Sequence, residues 1–236
     1  MANPFFAFKQ FTVFHDQCAM KVGTDGVLLG AWVRVGGTQR ILDVGTGTGL
    51  IALMLAQRST AQIEAIDIDE SAYRQACRNV FDSPFAGQIR VCHSAFADYD
   101  SAGGTFDLIV SNPPYFSQSL KSPDEKRSKA RHDELLPLEE LIAGSVPLLS
   151  EKGRIALILP VEQDQKLTEV SAANQLHRIR QTNISPTPHT PVKRILVELS
   201  PTPNPDYAPE CLTIEIERHR YTEAYETLTR DFYLKM

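Results

Sequence analysis

Two short segments of this chain carry residue types that act together in chemistry. In the first, Asp43-Val44-Gly45-Thr46-Gly47-Thr48-Gly49, three glycines alternate with threonines behind a carboxylate. Glycines in such a turn let the backbone approach a ligand and take dihedral angles that a side chain resists. The dinucleotide fingerprint G-x-G-x-x-G, counted from Gly45, would need glycine where Leu50 stands, and the lysine of a phosphate-binding P-loop is missing. NAD and ATP are therefore disfavoured. The second segment is Asn112-Pro113-Pro114-Tyr115. Its prolines stiffen the chain and remove two backbone donors, leaving carbonyls pointed outward as acceptors. An amide, a rigid carbonyl and an aromatic ring thus converge; the bland alternative is an Asn-Pro turn with a core tyrosine.

Both segments fall where strands end. An apolar strand over 41–44 leads into the glycine turn, and another over 106–110 leads into Ser111-Asn112. Between them the pattern reads as a helix over 50–56, a strand over 63–67, a helix over 70–80 with Asp69 as its N-cap, and a strand over 89–92. A helix over 138–149 and a strand over 155–159 follow. Nearly continuous apolar strands that alternate with helices belong to a parallel sheet covered on both faces. The expected fold is a doubly wound, Rossmann-like α/β domain whose seven-stranded sheet is mostly parallel. Past a helix over 162–174, strands over 178–184 and 194–199 are joined too closely to be parallel and make an antiparallel last hairpin. Residues 212–217 alternate like an edge strand, and 222–234 read as a closing helix. We divide the chain into a lid over 1–37, rich in phenylalanine, a main domain over 38–200, and an extension over 201–236 packed on it. Asp67 ends the second strand, where an acidic side chain accepts hydrogen bonds from ribose hydroxyls in such folds. Asp69 shares its face and spacing alone does not choose, but Asp67 is favoured, with Asp69 capping the next helix.

At 236 residues, 42% hydrophobic and 22% charged, the chain suits one large domain and is neither disordered nor fibrous. Its longest apolar stretch, 27–33, is broken by Gly30 and falls short of the roughly 20 residues that span a bilayer, so no membrane partner is expected. Met1-Ala2-Asn3-Pro4-Phe5 lacks the features of a secretory signal, and a cytoplasmic location is expected. Cys18, Cys77, Cys92 and Cys211 form no C-x-x-C pair and stand with no histidine at ligand spacing; free buried thiols and no metal are expected. A net charge of -5 argues against a general polyanion binder but allows a local basic patch. Two stretches are basic. Lys121, Lys126, Arg127, Lys129 and Arg131 directly follow the Asn-Pro-Pro-Tyr turn, and Arg178, Arg180, Lys193 and Arg194 lie in a run, 175–194, that contains no acid. Such runs are usually solvated faces. Beside a site in an otherwise acidic chain, contact with backbone phosphates is the preferred reading.

The spacing D-x-G-x-G-x-G resembles the first motif of class I S-adenosylmethionine-dependent methyltransferases. That resemblance implies S-adenosylmethionine as cofactor. Gly45 and Gly47, with Gly49 in the same turn, would lie against its amino-acid end and ribose, Asp43 would orient the loop or meet the ammonium, and Ile68, Ala95 and Phe96 would neighbour the adenine. Asn112 to Tyr115 resembles the [Asn/Asp]-Pro-Pro-[Tyr/Phe] motif of amino methyltransferases, which act on conjugated nitrogens of adenine, guanine, cytosine or glutamine amide. The likeness implies that the Asn112 oxygen and the Pro113 carbonyl accept two amino hydrogens and stabilise charge developing on nitrogen, while Pro114 keeps the turn rigid. Tyr115 would stack on a flipped base, worth roughly 1 to 3 kcal/mol. Lys21-Val22-Gly23-Thr24-Asp25-Gly26 resembles the upstream motif that folds over the methionine part, with Thr24 and Asp25 near its carboxylate or ammonium; a turn and helix cap is the plain alternative. In this order, and with Phe11-Thr12-Val13-Phe14-His15 ahead of them, the motifs over about residues 5–200 resemble the bacterial tRNA (adenine-N6)-methyltransferases that modify the adenine beside the anticodon of a valine tRNA. The resemblance implies adenine N6 as acceptor and tRNA as partner, and a monomer is expected. The rival readings are methylation of a protein glutamine, for which 37 residues supply no N-terminal helical domain, guanine-N2 methylation of ribosomal RNA, and a non-catalytic RNA-binding protein on the same fold.

Overall fold

The computed structural model describes residues 3–18, 21–101, 104–114 and 136–235. The chain opens on a short antiparallel hairpin, β1 (Phe5–Ala7) and β2 (Thr12–Phe14), followed by α1 (Thr24–Trp32). Alternation then begins: β3 (Arg40–Val44), α2 (Leu50–Arg58), β4 (Gln62–Asp67), α3 (Glu70–Phe81), β5 (Ile89–His93), β6 (Phe106–Ser111), α4 (Leu138–Ser145) and β7 (Leu149–Pro160). The remainder is α5 (Asp164–Ala173), β8 (His177–Ser185), β9 (Arg194–Ser200), β10 (Glu210–Thr213), the small hairpin β11 (Glu215–Glu217) and β12 (Arg220–Tyr221), and α6 (Glu223–Thr229).

The main sheet has the order β10-β8-β9-β7-β6-β3-β4-β5. Every neighbouring pair is parallel except the two that involve β9, so β9 alone runs against the rest. The sheet is doubly wound and Rossmann-like as expected, with eight strands where the sequence reading has seven. The extra strand comes from the alternating segment over 212–217. It divides at Ile214: β10 adds in parallel to the open side of β8, and β11 folds onto β12. Alternation reports which side chains face inward but not which backbone a strand meets.

Side chains alternate between two cores. Ile41, Leu108 and Val110 join one cluster with the helices α1 and α2, and Leu42, Ile109 and Val44 join the other, under α4 and α5. Helix α1 is apolar all round and must be enclosed; Gly26 through Trp32 are buried. Gly30 permits its close approach to α2, because a Cβ there would stand 2.7 Å from the Met54 sulphur and 2.9 Å from the Met54 Cβ. The aromatic N-terminus shares the same core through Phe8, Phe11 and Val13. It meets the chain's other end, since Lys9 N–H donates to Phe232 O (2.8 Å) and Phe8 bridges Tyr233. The closing helix accordingly stops at Thr229 rather than at 234: Phe232 and Tyr233 turn away to meet Lys9 and Phe8, in the turn after β1. Helix α4 likewise ends at Ser145, because the Val146–Leu148 stretch, with Pro147, continues as a 3-10 turn. None of the four cysteines is in a disulfide, but none is fully buried as expected: Cys18, Cys77 and Cys92 are half-buried and Cys211 is exposed.

Candidate active site

Strand β3 pairs with β4 on one side and with β6 on the other, so successive strands leave it in opposite directions. The carboxyl ends of the strands at such a reversal flank a crevice. The turn after β3 is built for that crevice. Gly45, Gly47 and Gly49 hold φ angles of 69°, 58° and 80°, and an L side chain in this left-handed region costs on the order of 1 to 2 kcal/mol. Gly45 and Thr46 N–H both donate to Ile66 O, at 2.9 and 3.0 Å, which ties the turn to β4. A Cβ on Gly45 or Gly47 would meet no protein atom within 4 Å; the bare backbone faces open space.

Two carboxylates organise the turn. Asp43 is fully buried, its Oδ2 accepting from Thr46 Oγ1 (2.6 Å) and Ala52 N–H (3.2 Å). Its Oδ1 has no hydrogen-bond partner among the described residues. Burial pushes this carboxyl up to about 7, against the pull of the Thr46 and Ala52 donors and with a small further push from Asp67. Asp67 accepts from Gly47 N–H on Oδ2 (2.7 Å) and from Asp69 N–H on Oδ1 (2.9 Å). Burial raises its pKa and those two amides draw it back. The two aspartates differ in what they hold: Asp69 Oδ1 accepts from Ala72 N–H (2.7 Å) and caps α3, while Asp67 stands against the glycine turn.

A cavity of about 390 Å³ brings the separate motifs together. Gly45 and Gly47 form one wall, Lys21, Gly23, Thr24 and Asp25 another, and Asn112 a third. Gly23 is the N-cap of α1, so Thr24 and Asp25 are its first turn. Ser111 Oγ donates to Val44 O (2.8 Å) and binds the end of β6 to that of β3; Asn112 is half-buried, Pro113 buried and Pro114 exposed. Tyr115 lies outside the described residues. Asp43 and Gly49 lie behind the turn, outside the cavity lining. Asp67, Ile68, Ala95 and Phe96 are not in its lining either; they lie at or past the ends of β4 and β5, where Ser94 N–H donates to Asp67 O (3.0 Å) and Ile68 is 50% exposed. A larger hollow of about 470 Å³ lies at the other end of the sheet, but its one titratable lining side chain, Arg58, is occupied by Gly30 O and Val33 O at 2.8 Å each. The smaller cavity is the one that gathers residues of all three motifs.

Two amides absent from the sequence reading support this arrangement. Asn79 is fully buried on α3; its Nδ2 donates to Phe14 O (2.9 Å) and Thr48 O (2.8 Å), and its Oδ1 accepts from Phe14 N–H (2.9 Å). Gln75, one turn earlier, accepts from Gln17 N–H (3.0 Å). Their signal was polarity at positions i and i+4 on the face that Ala72, Ala76 and Val80 mark as buried.

The basic residues divide. Lys121, Lys126, Arg127, Lys129 and Arg131 lie outside the described residues. The run over 175–194 contains no acid, yet acids from distant elements reach it. Arg178, 15% exposed, pairs with Asp164 (2.6 Å) and donates to Gln181 and Thr168; it is a structural tie between β8 and α5. Arg194 pairs with Asp25 (2.8 Å). Arg180 lies over the Trp32 ring, 4.0 Å from its centroid, and donates to Trp32 O. Lys193 is exposed. Among the described residues no group of three His, Cys, Asp or Glu side chains could hold a metal, and no helix is long and apolar enough to cross a membrane.

The turn, the strand-end carboxylate and the Asn-Pro-Pro corner around one crevice are those of a class I methyltransferase, and residues 22–179 match the Methyltransferase small domain. The tRNA1(Val) (adenine(37)-N6)-methyltransferase of Parabacteroides distasonis is 55% identical over 237 residues, covering 100% of both chains. Its namesake in Bacteroides thetaiotaomicron is 49% identical over 238 residues, again over 100% of both. The chain belongs to this tRNA1(Val) (adenine(37)-N6)-methyltransferase family. Among solved structures, a predicted O-methyltransferase from Agrobacterium tumefaciens superposes with a TM-score of 0.69 at 19% identity, over 88% of this chain and 96% of that one. A glycopeptide N-methyltransferase complexed with S-adenosylmethionine gives 0.55 at 12% identity, over 76% and 99%. At those identities the likeness is one of fold.

Proposed function

We propose that the cavity binds S-adenosylmethionine and that the chain methylates N6 of an adenine in tRNA, adenine 37 of a valine tRNA in the terms of its relatives' names. One observation carries the reading: Asn112 shares a single cavity with the bare glycine turn and the first turn of α1. The residues fit the cofactor. Gly45 and Gly47 offer a cradle that any Cβ would fill, Asp67 keeps lone pairs on both oxygens for ribose hydroxyls, and Ile68, Ala95 and Phe96 offer apolar surface for adenine, while Asp43 braces the turn from behind through Thr46 and Ala52. Lys21 and the α1 N-terminus, with Gly23 and Thr24, suit the carboxylate. When bound, the cofactor supplies an electrophilic methyl group on sulfur.

The protein's own part is placement and charge. An adenine amino nitrogen is a weak nucleophile because its lone pair is delocalised into the ring. The Asn112 side-chain oxygen and the Pro113 carbonyl accept its two hydrogens, and so favour the positive charge that grows as nitrogen becomes tetrahedral. Pro113 and Pro114 hold those acceptors still, so no reorganisation is needed during the step. Tyr115 supplies the stacking face. Lys121, Lys126, Arg127, Lys129, Arg131 and Lys193 contact phosphates. A tRNA substrate supports a cytoplasmic location, and action as a monomer is part of the proposal.

The test is incubation with labelled S-adenosylmethionine and total tRNA, then digestion to nucleosides. Label in N6-methyladenosine is expected. Label in N2-methylguanosine, or in protein alone, would end the adenine reading.

A further inference from the structure

Arg194 opens the one strand that runs against the others, so its backbone lies at the crevice end of the sheet, opposite Pro160 at the end of β7. Its guanidinium is not a free cation. Nε donates to Asp25 Oδ2 at 2.8 Å and Nη1 to Lys193 O at 3.0 Å, and the paired side chains are 34% and 27% exposed. The partner matters because Asp25 is both a cavity wall and part of the first turn of α1. Amides of a helix's first turn have no intrahelical acceptor and carry partial positive charge. An uncompensated carboxylate among them would cancel that charge and repel an anionic group approaching the same turn. Paired with Arg194, Asp25 is held in one orientation and its charge is offset.

We propose that Arg194 is a positioning residue for S-adenosylmethionine: it fixes and neutralises Asp25, so that the carboxylate faces the methionine ammonium while the α1 amides remain available to the methionine carboxylate. The inference rests on the reading of the cavity as the cofactor site, and it withdraws Arg194 from the phosphate contacts suggested by its place in a basic run.

Calorimetry with S-adenosylhomocysteine tests it on wild type, Arg194→Lys, Arg194→Gln, Asp25→Asn and the double variant Asp25→Asn/Arg194→Gln. Arg194→Gln is expected to weaken binding roughly tenfold, because it leaves the carboxylate uncompensated at the cavity. Arg194→Lys should keep most of the affinity. The double variant should lose less than the two singles combined, the signature of residues acting through one another. In steady state the loss should fall on KM for S-adenosylmethionine rather than on kcat, with KM for tRNA and its salt dependence as in wild type. A partly exposed pair contributes little to stability, so thermal melting should show folded variants; if Arg194→Gln does not fold, Arg194→Lys and Asp25→Asn carry the comparison. A wild type that binds no S-adenosylhomocysteine takes down the cavity reading and this inference together. Wild-type binding with equal affinity in Arg194→Gln overturns the inference alone. So does a raised KM for tRNA with a flatter salt dependence and unaltered S-adenosylhomocysteine affinity, which would make Arg194 a phosphate ligand.

Discussion

Asn112 and Asp43 make opposite demands on their surroundings. In the proposed function Asn112 acts in the transition state, so Asn112→Ala should lower kcat by roughly 100 to 1,000-fold while S-adenosylhomocysteine affinity stays close to wild type; a lost cofactor affinity would assign Asn112 to binding instead. Asp43 works in the resting protein, where it ties Thr46 and the start of α2 together at the cost of a buried carboxyl. Its pKa rises from 3.8 to about 7 on folding. The folded chain therefore holds the extra proton in that window. The stability this supplies is fully present below about pH 4, is lost as pH rises towards 7, and stays lost above. The difference in unfolding free energy between wild type and Asp43→Asn should drift against wild type across pH 4 to 7, by at most about 4 kcal/mol. Denaturant titrations at several pH values read this directly, and a flat difference would mean that Asp43 folds ionised.

Helix α3 joins pieces that lie far apart in the chain. Its Asn79 replaces a missing strand neighbour for Phe14 and at the same time holds Thr48 in the glycine turn. Asn79→Ala would leave three backbone polar groups without this partner, at about 1 to 3 kcal/mol for a buried one left unsatisfied. A lower melting temperature and weaker S-adenosylhomocysteine binding are expected together, because the clamp holds both the hairpin and the turn. Lower stability with unaltered affinity would confine Asn79 to the fold. Periodicity located α2, α3 and the five parallel strands because a parallel sheet enforces apolar runs and capping residues locally. It misjudged 212–217 and 222–234, where β8 and the N-terminal hairpin decide the outcome from outside the segment.

A protein with a net charge of -5 binds a polyanion only if its cations are gathered on one surface. Replacing Lys126, Arg127 and Lys129 together should weaken tRNA binding and reduce the slope of log affinity against log salt by about one unit per lost phosphate contact; an unaltered slope would return those side chains to solvent. The chemistry was legible in the chain alone, since a glycine turn and an Asn-Pro-Pro corner are short segments whose backbone behaviour follows from their own residues. The parallel sheet was legible for the same reason. The ownership of charges was not. Arg178 and Arg194 meet acids 14 and 169 positions away, whereas the Asp69 cap, a contact of only three positions, was legible beforehand. Local sequence carries backbone preference and burial, whereas the partner of a long, charged side chain depends on which distant elements the fold brings alongside it.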